Sequence, residues 1–157
     1  MPKKSNLIIN MKNNQSIDTE FQLERIRMGI FNILYRISRI VPGGGSMLRI
    51  IYSCDIPRHA KIAKSVSFQH RALGVVIHPD AEIGENCFIQ HHVTIGVNKG
   101  TKGVPKIGAN VFIGPYAMIL GDIKIGDNAT IGAGTLVMKD IEAGATYTGN
   151  TKMIRRR

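Results

Sequence analysis

Aliphatic residues return at every sixth position through the second half of the chain. Ile77, Ile83, Ile89 and Ile95 are spaced in this way, and after a gap of twelve so are Ile107, Ile113, Ile119, Ile125 and Ile131, with Val137 and Ala143 closing the series. Glycine follows at once in Ile83-Gly84, Ile95-Gly96, Ile107-Gly108, Ile113-Gly114, Ile125-Gly126 and Ile131-Gly132. Neither a helix nor a flat strand has a period of six, so the repeat predicts a solenoid. Each hexad reads as a short strand and a turn. Its first residue points inward, and its fifth is small or modest in size, as at Ala81, Cys87, Val93, Ala117 and Thr135. Its fourth is Asn at Asn86, Asn110 and Asn128, a residue that tolerates the left-handed backbone of a tight corner. Three hexads make one triangular coil, and the coils above and below must bury what one hexad cannot. The expected fold is an all-β solenoid, a parallel β-helix. The period leaves its hand open, and the crossover rule for parallel strands favours a right-handed turn.

The series extends upstream through Ile50, Ile56, Ile62 and Phe68, and then breaks. Nine residues separate Phe68 from Ile77, and the excess holds His70-Arg71-Ala72-Leu73-Gly74. A second break runs from Gly96 to Lys106 and is rich in Gly and Lys. Breaks in a solenoid become loops on one face, often the binding face, so the chemistry is sought near His70 and the 96–106 loop. Residues 1–45 read as a polar arm followed by an amphipathic helix over 21–41, ended by Pro42-Gly43-Gly44-Gly45. Residues 46–150 form the repeat domain, and 151–157 a basic tail. The helix carries Arg25, Arg27, Arg36 and Arg39 among Leu, Ile and Phe. It is expected to cap the open solenoid end or to pack against a neighbouring subunit, with peripheral membrane contact as the alternative.

Composition adds a partner class. The 157 residues carry a formal net charge of +10, which calls for an acidic partner: a phosphorylated cofactor, an anionic membrane surface or a nucleic acid. Aromatic residues make up only 6% and are not interleaved with the basic ones, which argues against nucleic acid. The two cysteines, Cys54 and Cys87, fit a reducing compartment. No signal-peptide pattern is present and no stretch approaches the ~20 apolar residues of a membrane span. The expected location is cytoplasmic, with membrane association through 21–41 as a possibility.

The hexads, with Asp55-Ile56 ahead of them, His70 followed by Leu73-Gly74-Val75-Val76-Ile77, and Val93-Thr94-Ile95-Gly96, resemble the serine O-acetyltransferase-like group of hexapeptide-repeat acyltransferases. The resemblance covers residues 50–150. It implies a left-handed β-helix, a homotrimer with active sites in the clefts between subunits, and acetyl-coenzyme A as acetyl donor, with no metal. It also implies a dyad of Asp and His fifteen residues apart, which Asp55 and His70 match. A hydroxyl is a poor nucleophile at neutral pH, so a base must take its proton during attack on the thioester. His70 suits that task. Asp55 would hold its tautomer and stabilise the imidazolium, and a backbone amide near the 96–106 loop would stabilise the oxyanion. His91 and His92, outward at a corner, are candidates to reach the same cleft and bind acceptor or oxyanion, one of them is an alternative base, and a structural or solvated role is the other reading. Gly96, Gly114, Ala117 and Ala133 fall where the family lines its pantetheine channel, though Pro115-Tyr116 replaces smaller residues. Lys139, Lys152 and Arg155 could meet the nucleotide phosphates.

Members that acetylate serine carry Asp-Arg-His-Pro-Lys before the resumed repeat. Here the stretch reads Lys102-Gly103-Val104-Pro105-Lys106, with Val104 at the His position. About fifty residues precede the repeats, where those enzymes have a long helical domain, and the chain ends Arg155-Arg156-Arg157. These departures point to a sugar or glycan acceptor, as in relatives that serve capsule or exopolysaccharide assembly, with L-serine as runner-up. Three other readings remain: a non-catalytic scaffold, covalent catalysis through Cys54, and a carbonic anhydrase-like zinc enzyme. The last needs two His five apart, and no pair here has that spacing.

Overall fold

The structure is a computed structural model, described here over residues 30–31, 33–37 and 44–149. Among these residues thirteen short parallel strands wind around an apolar core. They are β1 (Lys61–Ile62), β2 (Ser67–Phe68), β3 (Val76–Ile77), β4 (Glu82–Ile83), β5 (Phe88–Ile89), β6 (Thr94–Gly96), β7 (Lys106–Ile107), β8 (Phe112–Ile113), β9 (Met118–Leu120), β10 (Lys124–Ile125), β11 (Thr130–Ile131), β12 (Leu136–Val137) and β13 (Thr146–Tyr147). Through β12 every third strand joins the same sheet, and β13 follows β11 on face C because Ile141, an isolated bridge to Ile125, takes the intervening place on face B. Face A holds β3-β6-β9-β12, face B β1-β4-β7-β10, and face C β2-β5-β8-β11-β13. The chain thus makes about four triangular coils, in agreement with the left-handed β-helix that the family resemblance implies. The crossover rule depends on twisted strands feeding helical crossovers, and two-residue strands joined by tight corners give it nothing to act on.

Register follows the hexad. Ile83 pairs with Ile107, Ile89 with Ile113, and Ile95 with Ile119, so each inward isoleucine stacks on its counterpart one coil away. Ile89, Ile95, Ile113 and Ile131 are fully buried, and so are the small residues two positions earlier, such as Cys87, Val93 and Val111. A large and a small side chain per hexad therefore fill the triangle. Burying one isoleucine contributes roughly 1.5–3 kcal/mol. At the corner between faces B and C, Asn86, Asn110 and Asn128 all have positive φ, between 56° and 59°, as their residue type predicts. Asn86 Nδ2 also donates to Asn110 Oδ1 at 3.3 Å.

Two ends of the predicted series do not hold. Ile50 is not an inward strand residue. It lies in a helix, Gly44–Tyr52, and is 83% exposed, while Leu48 of that helix is buried. Ala143 is exposed as well. The last corner between faces A and B is two residues shorter, so Ile141 takes the inward place and bridges Ile125.

Residues 30–31 and 33–37 are helical and cover the first coil. Phe31 meets Phe68 edge-on at 6.3 Å and Tyr52 at 5.2 Å, and Tyr35 meets Phe68 at 5.6 Å. This is the capping role expected of the helix. The rest of the 21–41 expectation, the polar arm and the 151–157 tail lie outside the described residues.

Candidate active site

The first break falls at the corner between faces C and A. The three extra residues wind into a compact turn over Gln69–Ala72. His70 has φ 48° and ψ 35°, Arg71 φ 58° and ψ 36°, and Ala72 φ 56°. Three successive non-glycine residues in the left-handed region are strained, and strain of this kind collects at functional sites. The turn is held by Ala72, whose side chain is fully buried, and by Val75 N–H donating to Ala72 O at 2.9 Å. The His70 side chain is exposed.

Above this turn the same corner repeats. His92 N–H donates to Leu73 O at 2.7 Å, Tyr116 N–H to His91 O at 3.1 Å, and Gly134 N–H to Pro115 O at 2.8 Å. The corner thus stacks side chains from three coils. The His70 and His91 rings meet edge-on at 4.9 Å, and His91 meets Tyr116 edge-on at 5.4 Å. His92 lies flat on Tyr116 at 4.8 Å. Gly74 makes room for this, since a Cβ there would stand 2.1 Å from His92 Nδ1. The sequence proposed that His91 and His92 reach the cleft of His70, and the corner brings the three together. Burial first, then the charges of His70 and His92, lower the His91 pKa. Its Nδ1 is buried with no hydrogen-bond partner, a cost of about 1–3 kcal/mol that calls for a reason.

Asp55 lies at the foot of face A, bridging Val76. Its N–H donates to Val75 O and its carbonyl accepts from Ile77 N–H. Its carboxylate meets the Arg49 guanidinium at 2.5 Å. Among the described residues, then, Asp55 pairs with Arg49 and His70 with His91, and no hydrogen bond joins the two members of the expected dyad. A cavity of about 390 Å³ beside Asp55 is lined by Arg49, Arg58, His59, Pro57, Ile77 and Pro79. Arg49 carries no signal in the sequence, because it precedes the hexads and no motif includes it.

The channel candidates divide. Ala117 is fully buried, its N–H donates to Gly114 O and its carbonyl accepts from Thr94 N–H. It is a core residue and cannot line a channel. Gly114 is needed by the stacking itself, because a Cβ there would stand 2.6 Å from Ala133 N. Gly96 has ordinary space, its nearest neighbour being Leu120 at 3.9 Å, and Ala133 is exposed at the corner next to Gly134. Lys139 lies over the Tyr147 ring at 5.0 Å, while Lys152 and Arg155 lie outside the described residues. The second break opens between faces A and B and folds back on the solenoid. Gly121 N–H donates to Gly96 O at 2.9 Å, and a Cβ on Gly103 would strike Asp122. The two breaks therefore flank face A on its two edges. Among the described residues no group of three His, Cys, Asp or Glu side chains is placed to hold a metal. Burial pushes the Cys54 thiol up to about 11, which leaves almost no thiolate at neutral pH.

Residues 105–139 match the family described as bacterial transferase hexapeptide (six repeats). The chain is 46% identical over 75 residues to probable serine acetyltransferase 1 of Oryza sativa subsp. japonica, a match covering 46% of this chain and 24% of that protein. It is 42% identical over 77 residues to the serine acetyltransferase of Mycobacterium tuberculosis, covering 48% of this chain and 33% of that one. Among solved structures, soybean serine acetyltransferase apoenzyme superposes with a TM-score of 0.65 at 40% identity, covering 78% of this chain and 52% of that one. Neisseria gonorrhoeae serine acetyltransferase in complex with serine gives 0.62 at 36%, covering 76% and 50%. The chain thus spans about a quarter to a third of these relatives by sequence and about half of them by structure. These relatives are named serine acetyltransferases, and the sugar acceptor expected from Val104 gains no support from them. Over its repeat domain the chain is similar to hexapeptide-repeat acyltransferases of the serine acetyltransferase kind.

Proposed function

We propose that this chain is an O-acetyltransferase that moves the acetyl group of acetyl-coenzyme A to the hydroxyl of L-serine. The observation that carries the reading is a histidine held in a strained left-handed turn, in a repeat domain similar to serine acetyltransferases. In this reading His70 takes the hydroxyl proton as the serine oxygen bonds to the thioester carbonyl carbon. The tetrahedral intermediate then collapses, the carbon–sulfur bond breaks, and coenzyme A leaves as a thiol with the proton that His70 held. No acyl-enzyme is required, in keeping with a Cys54 thiol that burial keeps protonated.

Asp55 is the residue that the spacing offers to orient His70, and to do so its carboxylate must turn from Arg49 Nη2, which engages Oδ2, toward the far imidazole nitrogen. His91, whose pKa is lowered by burial first and then by His70 and His92, serves the acceptor as a hydrogen-bonding group. Gly96, Ala133 and Lys139 remain the candidate contacts of coenzyme A.

The test is release of free coenzyme A from acetyl-coenzyme A, with L-serine in one series and a panel of sugars and oligosaccharides in another. Wild type should turn over L-serine, and His70→Ala should lose roughly 10²–10⁴-fold in kcat with little change in KM. Turnover with sugars alone would replace the acceptor. Silence in both series, with no binding of coenzyme A, would leave a scaffold.

A further inference from the structure

Capping occupies only one face of the N-terminal helices. In the first, Phe31 and Tyr35 are buried against the solenoid end, while Ile30, Ile33, Leu34 and Ile37 stand between 36% and 57% exposed. Their spacing of three and four places them in one stripe. In the second, Leu48 is buried, while Met47, Ile50 and Ile51 are 57–83% exposed, with Ile50 and Ile51 three and four residues from Met47. Single exposed aliphatic residues are ordinary, but grouped stripes mark an interaction surface.

The sequence around the first stripe is basic. Positions 21–41 carry Arg25, Arg27, Arg36 and Arg39 against one acidic residue, Glu24, and the Arg36 side chain is exposed. Arg49 of the second helix is already paired with Asp55. A second copy of this face would bring an excess of like charge together. A surface of anionic headgroups supplies the missing charge and an apolar layer beneath it.

We propose that the two N-terminal helices dock the protein on an anionic lipid surface, with the aliphatic stripes at the acyl boundary and Arg36 and the other arginines of positions 25–39 among the headgroup phosphates. Among the described residues no helix is long and apolar enough to cross a membrane, so the helices lie in the plane of the interface. Phe68 is the link to the candidate site. It packs on Phe31 and Tyr35 and stands two residues before His70, so docking holds the first coil, and with it the His70 turn, close to the interface.

The experiment is sedimentation of the full chain with vesicles of mixed phosphatidylglycerol and phosphatidylcholine, and with phosphatidylcholine alone, at low and high salt. Wild type should sediment with the anionic vesicles, less at high salt, and not with the neutral ones. Ile33→Glu combined with Ile50→Glu should lower that binding at least ~tenfold, with melting temperature, assembly mass and acetyl transfer in free solution unchanged. Where the double variant melts early, Arg36→Glu, on an exposed side chain, gives the same reading. Absence of wild-type binding to anionic vesicles, equal binding to neutral ones, or retained binding in a folded variant would overturn the proposal. A fall in assembly mass in the double variant would overturn it too, by giving the face to a second copy. The vesicle readout needs no substrate, so its failure and a failure of the acetyltransferase reading are separately visible.

Discussion

At the scale of single residues, the corner between faces C and A concentrates what is unusual in this chain. His70 and Arg71 occupy a backbone region that the side chains of neither favour, and His91 carries a buried nitrogen without a partner. His91 also gives the corner a pH dependence. Its pKa in the folded chain lies below the ordinary 6.5, by burial first and then by repulsion from His70 and His92. The unfolded chain therefore binds the His91 proton more readily than the folded one. Stability from this group is complete above about pH 6.5, falls as the pH drops through that value, and stops falling once the folded-state pKa is passed. Melting temperature should accordingly decline on acidification from about pH 7.5 to about pH 5.5, and less steeply in His91→Gln. Equal slopes in the two proteins would assign the acid sensitivity to other groups. Much of this corner was legible in the sequence, because a break in a six-residue series cannot be hidden and His70 sits inside it. The sequence also offered His91 and His92 for the same cleft, but not the direct ring contact between His70 and His91. They are twenty-one residues apart, and only the stacking of one coil on the next makes them neighbours.

At the scale of elements, the two-residue strand is meaningful only as part of a column. Gly114 shows how closely the coils approach. A methyl group there would stand 2.6 Å from the Ala133 amide nitrogen and 2.8 Å from the Gly132 carbonyl carbon, and backbone cannot step aside as a flexible side chain can. Gly114→Ala should cost about 1–3 kcal/mol, read as a lower urea midpoint. Gly96→Ala, where the nearest neighbour is 3.9 Å away, should leave the midpoint nearly unchanged and serves as the control. The places where the hexad series fails also belong to this scale. Ile50 satisfies the six-residue count, yet its neighbourhood Met47-Leu48-Arg49-Ile50-Ile51 fits a helix equally well. The helix prevails because Leu48 can be buried at the solenoid end, a surface that exists only once the coils have formed. Ala143 keeps the count and loses the position for a similar reason. A corner two residues shorter lets the larger Ile141 reach the core, and the series shifts to follow the better burial.

At the scale of the whole molecule, a solenoid leaves both its ends and its flat faces to be covered. The first coil is covered by Phe31 and Tyr35, and the last carries Tyr147 in register above Ile131. Face A remains open and apolar, with Leu73, Val76, Met118 and Leu136 all more than 40% exposed and flanked by both loop breaks. A trimer built on this face would bury that column and close the His70 corner into a cleft. Light scattering should then return a mass about three times the 17.3 kDa of the chain, and Met118→Glu should reduce it to the monomer. A monomeric wild type would remove the cleft from the mechanism and leave His70 open to water.

The sequence alone determined the solenoid, the inward isoleucines, the asparagine corners and the two loop breaks. All of these follow from a local rule, since a side chain at a fixed place in each hexad meets the same surroundings every third repeat. Tertiary structure decided the rest. It set where the helix ends and the first coil begins, gave the Asp55 carboxylate to Arg49, sealed Ala117 in the core, and brought His91 to His70. Those outcomes depend on which distant segments share a corner and on which of two competing burials is larger. Neither quantity exists until the coils are stacked.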